Sequence, residues 1–334
     1  MRSDRSLKSG AGCLGREVIV KRPARISFLS VLVLLFSVAI VADAPEVRTL
    51  KNAKFFRVEV PGARITEARG LNNLGEIVGS WEDPITRRGH GFIFSGGVFT
   101  TIDIPGAVST SLLDINDAGD IVGGYSEPSG LGHGFLLTAD GQLTTITFPG
   151  QRFTGVNGIN NHRQIVGIYA EVEGDEVLGI HGFMRDENGV FTPVDFPVPT
   201  PRAHIFVTFA NDINDAGDIV GGYNEDDIFE TRRGFLLRNG EYTTINVPAS
   251  VLTEVFGINN AGEMVGEFLG SGQNFGFFFS PKRGFYRMGN ADKPKPEFPG
   301  FLLPFDINDL NQFAGDGVTV DGLRGFVATL PPGW

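Results

Sequence analysis

Two identical strings, DINDAGD at 114–120 and at 212–218, hold a dense set of oxygen donors. Asp114, Asn116 and Asp120, and likewise Asp212, Asn214 and Asp218, alternate as carboxylates and amides do in calcium loops, where a hard cation is held by several hard oxygens. Ala118 and Ala216 stand where such a loop carries a further ligand, so the match is incomplete. Two chemistries stay open. One is calcium coordination; the other is Asx-type capping of a turn, with a bond from the leading Asp to a neighbouring repeat.

A second set is aromatic. Trp81, Tyr125, Tyr169, Tyr223 and Phe268 each stand two residues after a recurring glycine. Amphipathic rings in register could form a stacking platform for an extended ligand such as a polysaccharide, or each could pack against the next structural unit. His90, His133 and His181 also recur, but in a six-fold ring their strands would lie about 15 Å apart, given ~4.8 Å between neighbouring strands. Three such residues cannot share one metal ion, and a hydrogen bond to nearby backbone is the expected role. Gly-x-Ser-x-Gly, His-Glu-x-x-His and a phosphate-cradling loop are all lacking, and the single Cys13 precedes the region that folds. No catalytic residue is expected, and calcium is the sole cofactor in view.

The elements that must position these residues repeat six times. GLNNLGEIVG (70–79), DINDAGDIVG (114–123), GINNHRQIVG (158–167), DINDAGDIVG (212–221), GINNAGEMVG (257–266) and DINDLNQFAG (306–315) centre on Asn72, Asn116, Asn160, Asn214, Asn259 and Asn308. Each is followed by a Gly-Phe pair, and in the first five copies a β-rich run ending in Pro comes next. Alternating apolar residues around an Asn-turn-Gly punctuation predict four short strands per unit. Arg163 and Asn311 replace the turn Gly in two copies, and Arg tolerates positive φ less well. The residues flanking each Asn alternate: Gly70/Asn73, Asp114/Asp117, Gly158/Asn161, Asp212/Asp215, Gly257/Asn260, Asp306/Asp309.

Four strands in roughly 45 residues is the signature of a propeller blade. The sixth copy lacks a fourth strand, while FFRVEVPGA (55–63) matches a fourth strand and nothing else. The expected fold is therefore all-β, a six-bladed β-propeller of four-stranded blades occupying 45–334, its last blade closed by the N-terminal strand. The strings IN..G.IVG and His-Gly-Phe at His90, His133 and His181 resemble the HAF-repeat family of exported bacterial proteins. Arg233, Phe275 and Arg324 depart from that pattern. The resemblance implies export and a repeat architecture, and no activity.

Export is also read from the residues. Seven basic residues precede the uncharged Ile26–Ala42 stretch, so 1–44 reads as a signal peptide or N-terminal anchor. The whole chain carries a net charge of −11, and beyond residue 44 the balance of 21 basic to 36 acidic residues makes −15. That argues against nucleic acid and, the possible anchor aside, against a membrane surface. The spacing from the recurring Gly to the Gly-Phe pair varies from 10 to 15 residues, whereas the Asn turn is uniform. Insertions on one face of a repeat array mark its binding face. The expected function is an exported, non-enzymatic binding or scaffold module for a glycan or an extracellular protein. The alternative is an extracellular glycan-active hydrolase or lyase.

Overall fold

The computed structural model describes residues 47–174, 176–198, 206–224, 231–288, 298 and 301–331. The signal or anchor segment read in 1–44 lies outside them, as do 199–205 and 289–297. The described residues form strands and turns, with no helix. First strands are Ile65–Leu71, Ser109–Ile115, Thr154–Ile159, Phe206–Ile213, Leu252–Ile258 and Leu302–Ile307. Second strands are Ile77–Glu82, Ile121–Ser126, Ile165–Glu173, Ile219–Asn224, Met264–Gly270 and Gln312–Thr319. Third strands are Gly89–Ser95, Gly132–Leu137, Glu176–Arg185, Arg232–Arg238, Gln273–Ser280 and Gly322–Thr329. The fourth are Val98–Ile102, Leu143–Ile146, Phe191–Val194, Glu241–Ile245 and Gly284–Arg287.

Within each repeat these strands pair antiparallel in chain order. The open edge of the sixth repeat, Gly322–Thr329, is paired by Lys54–Val58 from the other end of the domain. Repeats three and four share one sheet through a short parallel bridge, Gly179–Phe206 and Ile180–Val207. Repeat five acquires Arg48–Thr49, parallel to Gly284–Arg287, a strand too short to leave a pattern in the sequence.

The recurring residues explain the packing. Phe92, Phe135, Phe183, Phe235, Phe277 and Phe326 of the Gly-Phe pairs are fully buried. Each ring needs a second-strand glycine beside it; a Cβ on Gly79 would sit 1.9 Å from the Glu67 carbonyl oxygen and 3.0 Å from the Phe92 ring. Thr66, Thr110, Thr154, Thr208 and Thr253 are also buried, and each accepts a hydrogen bond from the backbone N–H of Val60, Ile104, Phe148, Phe196 and Val247 respectively. These bonds fasten the end of one repeat to the start of the next.

Every first strand carries a β-bulge at the same place, between Ala68/Gly70, Leu112/Asp114, Val156/Gly158, Ala210/Asp212, Val255/Gly257 and Pro304/Asp306. A bulge re-aims the extra residue. Here those residues are Arg69, Leu113, Asn157, Asn211, Phe256 and Phe305. Asn157 and Asn211 use the displacement to reach the next repeat, donating to the carbonyls of Ala210 at 2.9 Å and Val255 at 2.8 Å.

Candidate functional site

The Asn turns form a ring. In each, the Asn side-chain oxygen accepts backbone N–H bonds from the residues two and four positions on, as Asn116 does from Ala118 (3.1 Å) and Asp120 (2.9 Å). The amide then donates to the backbone carbonyl of the next pivot. Asn72 reaches Asn116, Asn116 reaches Asn160, Asn160 reaches Asn214, Asn214 reaches Asn259, and Asn259 reaches Asn308. Asn308 returns to Asn72. Arg163 and Asn311 hold positive φ of 56° like the glycines they replace. Arg163 is held in that strained conformation by a 2.6 Å bond from its Nε to Asp120 of the preceding repeat.

A second ring follows the alternation. Asn161 donates its amide to Asp117 (3.2 Å) and Asp215 (3.0 Å); Asn260 donates to Asp215 (2.9 Å) and Asp309 (2.8 Å); Asn73 donates to Asp117 (2.9 Å) and Asp309 (3.3 Å). Alternation gives each carboxylate amide donors on both sides; six carboxylates would repel one another and have no side-chain donor between them. Inside this ring stand Asp114, Asp212 and Asp306. Each bonds its own following N–H and one in the next repeat, Ile159, Ile258 and Leu71. The partnering glycines are required by space: a Cβ on Gly70 would lie 2.6 Å from Asp114 Cα.

These bonds decide what the DINDAGD residues can do. Asn116 and Asn214 turn their oxygens into their own turns. Asp120 faces outward to Ala139 N and Arg163, and Asp218 bonds Arg238 at 2.7 Å. The expected calcium ligands are therefore not brought to one point. Among the described residues no group of three or more His, Asp or Glu is spaced to hold a metal ion. What is brought together is Asp114, Asp212 and Asp306. Burial, then their mutual repulsion, raises Asp114 and Asp212 well above the usual carboxylate range, and burial raises Asp306 to about 6. They line a cavity of about 70 Å³ shared with all six Asn turns. Ligand pockets usually begin near ~300 Å³, so this cavity is part of the seal rather than a binding pocket.

The aromatic set is divided. Tyr169, Tyr223 and Phe268 are buried. Tyr169 stacks on Phe148 at 3.8 Å and Tyr223 on Phe196 at 3.7 Å, while Phe268 meets Phe275 at 5.4 Å. Trp81 and Tyr125 keep part of their surface exposed. The strand-three histidines explain themselves: each is the cross-strand partner of a ring, His90 of Trp81, His133 of Tyr125 and His181 of Tyr169. His90 and His181 bond the carboxylates of Asp103 and Asp195, not backbone as expected.

Two charged groups were missed, because their members are far apart in an acid-rich sequence. Arg69, a bulge residue, bonds Glu67 at 2.7 Å, lies 3.4 Å from Asp316 and covers the Phe305 ring at 4.0 Å. Between repeats four and five, Glu254 accepts from Asn211 at 3.1 Å and from Arg232, with Glu267 beside it. Burial, then the Glu254 carboxylate, pushes Glu267 up to about 7, against the pull of Arg232.

No family model matches the chain, and no curated protein does. Among solved structures, the β-propeller domain of the trilobed protease from Pyrococcus furiosus is similar, with TM-score 0.50 and 12% identity over 82% of both chains. The fold is a β-propeller. A putative gluconolactonase has TM-score 0.49 and 11% identity over 84% of this chain and 93% of its own. A six-bladed fucose-recognising lectin from Aleuria aurantia has 0.46 and 10% over 86% and 100%.

Proposed function

We propose that the chain is a six-bladed propeller, the last blade closed by Lys54–Val58, and that it acts outside the cell as a binding or scaffold module. The cycle of pivot bonds from Asn72 through Asn308 and back supports six units in a closed ring. The basic segment and uncharged stretch before residue 44 support export.

One observation carries the choice of face. The polar side chains of the uniform Asn turns are consumed in bonds among themselves, so that end is a seal. Away from the Asn turns, first strands carry Glu67, Arg69 and Glu254, a second strand Glu267 and a third strand Arg232, and these follow no six-fold pattern. Charges that a repeat does not need for folding mark where it does something else. The loops of unequal length rise from that side, and the ligand is a glycan or an extracellular protein.

The competing reading is a glycan-active hydrolase or lyase, favoured by Glu254 and Glu267. They are opposed across one strand pair yet sit in different electrostatic settings, as acid and base partners do. A glycan array and a thermal-shift series, each with and without calcium, test both. Binding raises the melting midpoint, since a ligand of the native state stabilises it. Released reducing ends or unsaturated sugars would establish turnover instead. An unmoved midpoint with a blank array would remove the glycan form of the reading.

A further inference from the structure

Gly222, Asn224 and Arg232 lie on one face of the repeat-four sheet. Asn224 is the cross-strand partner of Arg232, and Gly222 stands two residues along the same strand. That face meets repeat five. Arg232 pairs with Glu254, and a Cβ on Gly222 would lie 3.1 Å from the Arg232 side chain and 3.2 Å from that of Glu254. Glu254 and Glu267 are directly opposed across their own strands, which sets their side chains next to each other.

Two polar atoms on this face are unsatisfied. Asn224 is 5% exposed, and its side-chain oxygen accepts no hydrogen bond. The Nε of Arg232 donates to nothing. A buried amide oxygen without a donor is costly unless a ligand supplies one. The fold does not demand these charges: the position of Glu254 is held by Ser111, Gly155, Phe209 and Leu303 in four other repeats. Arg232 keeps about a fifth of its side chain in solvent, its side-chain exposure being 21%, so the boundary is reachable there.

We infer that the boundary between repeats four and five binds a neutral hydroxylated ligand, the vicinal diol of a pyranose, through Asn224, Arg232 and Glu267. A hydroxyl both donates and accepts, so adjacent hydroxyls can give a proton to Asn224 Oδ1 and take one from Arg232 Nε. An anion would meet Glu254 and Glu267. A cation would meet the Arg232 guanidinium, which already lies over the Phe209 ring. Glu267, raised to about 7 by burial and by Glu254, carries a proton to donate to a sugar oxygen at and below neutral pH. The inference rests on the binding reading above and gives it a place and a ligand class.

Isothermal titration of the full chain with neutral methyl pyranosides at pH 6, 7 and 8 tests it, with glucosamine and glucuronic acid as charged controls. At least one neutral pyranoside should bind, with affinity falling from pH 6 to 8. Asn224→Leu, of similar volume and without the unpaired amide, should keep the native melting curve and bind about tenfold more weakly. Glu267→Gln should bind with no pH dependence. Unchanged affinity in both variants, or preference for either charged sugar, overturns the site and leaves the binding reading intact. Absence of pyranoside binding also overturns the site; it overturns the binding reading too if no glycan or protein ligand is found by other assays.

Discussion

Asn308 donates its side-chain amide to the backbone carbonyl of Asn72 at 3.0 Å, joining residues 236 positions apart. The same side chain accepts from the N–H groups of Leu310 and Gln312, both at 3.0 Å. It therefore caps its own turn and links the last repeat to the first. Its amide also donates to Gln312 Oε1 at 3.0 Å, so Asn308→Ala removes four bonds in a buried setting and should cost about 4 kcal/mol, at ~1 kcal/mol per bond. Asn308→Asp keeps the acceptor and loses both donor bonds, so it should cost about half as much. Urea denaturation of both variants measures this; no loss in Asn308→Asp would mean that the inter-repeat bond carries nothing.

The alternating ring makes a prediction about charge. Asn73 sits between Asp117 and Asp309 and donates to both. Asn73→Asp would put three carboxylates in a row with no amide between two of the pairs. It should destabilise by about 1–2 kcal/mol at pH 7, partly relieved by high salt or by pH 4, where a carboxyl can donate. Melting curves across salt and pH measure the effect. A pH-independent loss would point to steric disruption instead of charge.

Much of this architecture was legible in the residues. The Asn-turn-Gly punctuation and period-two alternation mark hairpins because only a few residue types tolerate those turns, and the strand that pairs with Gly322–Thr329 was visible as an unmatched FFRVEVPGA. The alternation of Gly/Asn with Asp/Asp was visible too, but the ring it builds was not, since its partners lie 44 to 236 residues apart. The bulge left no signature, because no one residue type recurs through Arg69, Leu113, Asn157, Asn211, Phe256 and Phe305. Arg232 and Glu254 are hidden for a different reason. A single pair among 39 acidic and 28 basic residues carries no signal until strand register places it.

The aromatic set separates into two experiments. Tyr223 is buried and stacked at 3.7 Å on Phe196, so Tyr223→Ala should cost about 3–5 kcal/mol, as large aromatic truncations do. Trp81 stacks on His90 at 4.5 Å but remains partly exposed, and Trp81→Ala should cost less than half of that. If a platform exists, it is at Trp81 and Tyr125, whose replacement should weaken glycan binding while the fold survives. Denaturation and titration on the same variants separate the two roles.

Stability should carry two opposed marks of pH, and the sign of each follows from its shift. Asp114, Asp212 and Asp306 are raised by burial above the ordinary value of 3.8, Asp306 to about 6. The native state thus holds protons that the unfolded chain has released, and stability falls as pH rises from about 4 through about 6. His181 is also raised, first by its bond to Asp195 and then by Glu171. Its contribution is complete below 6.5 and is lost as pH rises through the native value. Both groups therefore make the protein more stable in mild acid than at neutral pH, against the usual gain on leaving acid as the paired carboxylates Glu67, Glu82 and Asp120 ionise. Melting curves from pH 4 to 8 should show the midpoint declining above pH 5. In Asp306→Asn the slope between 4 and 6 should flatten, although the midpoint drops because an amide cannot accept from both Leu71 and Ile307. In His181→Gln only the slope above 6.5 should flatten. A native midpoint that rises steadily from pH 5 to 8 would show that the axial carboxyl groups are ionised throughout.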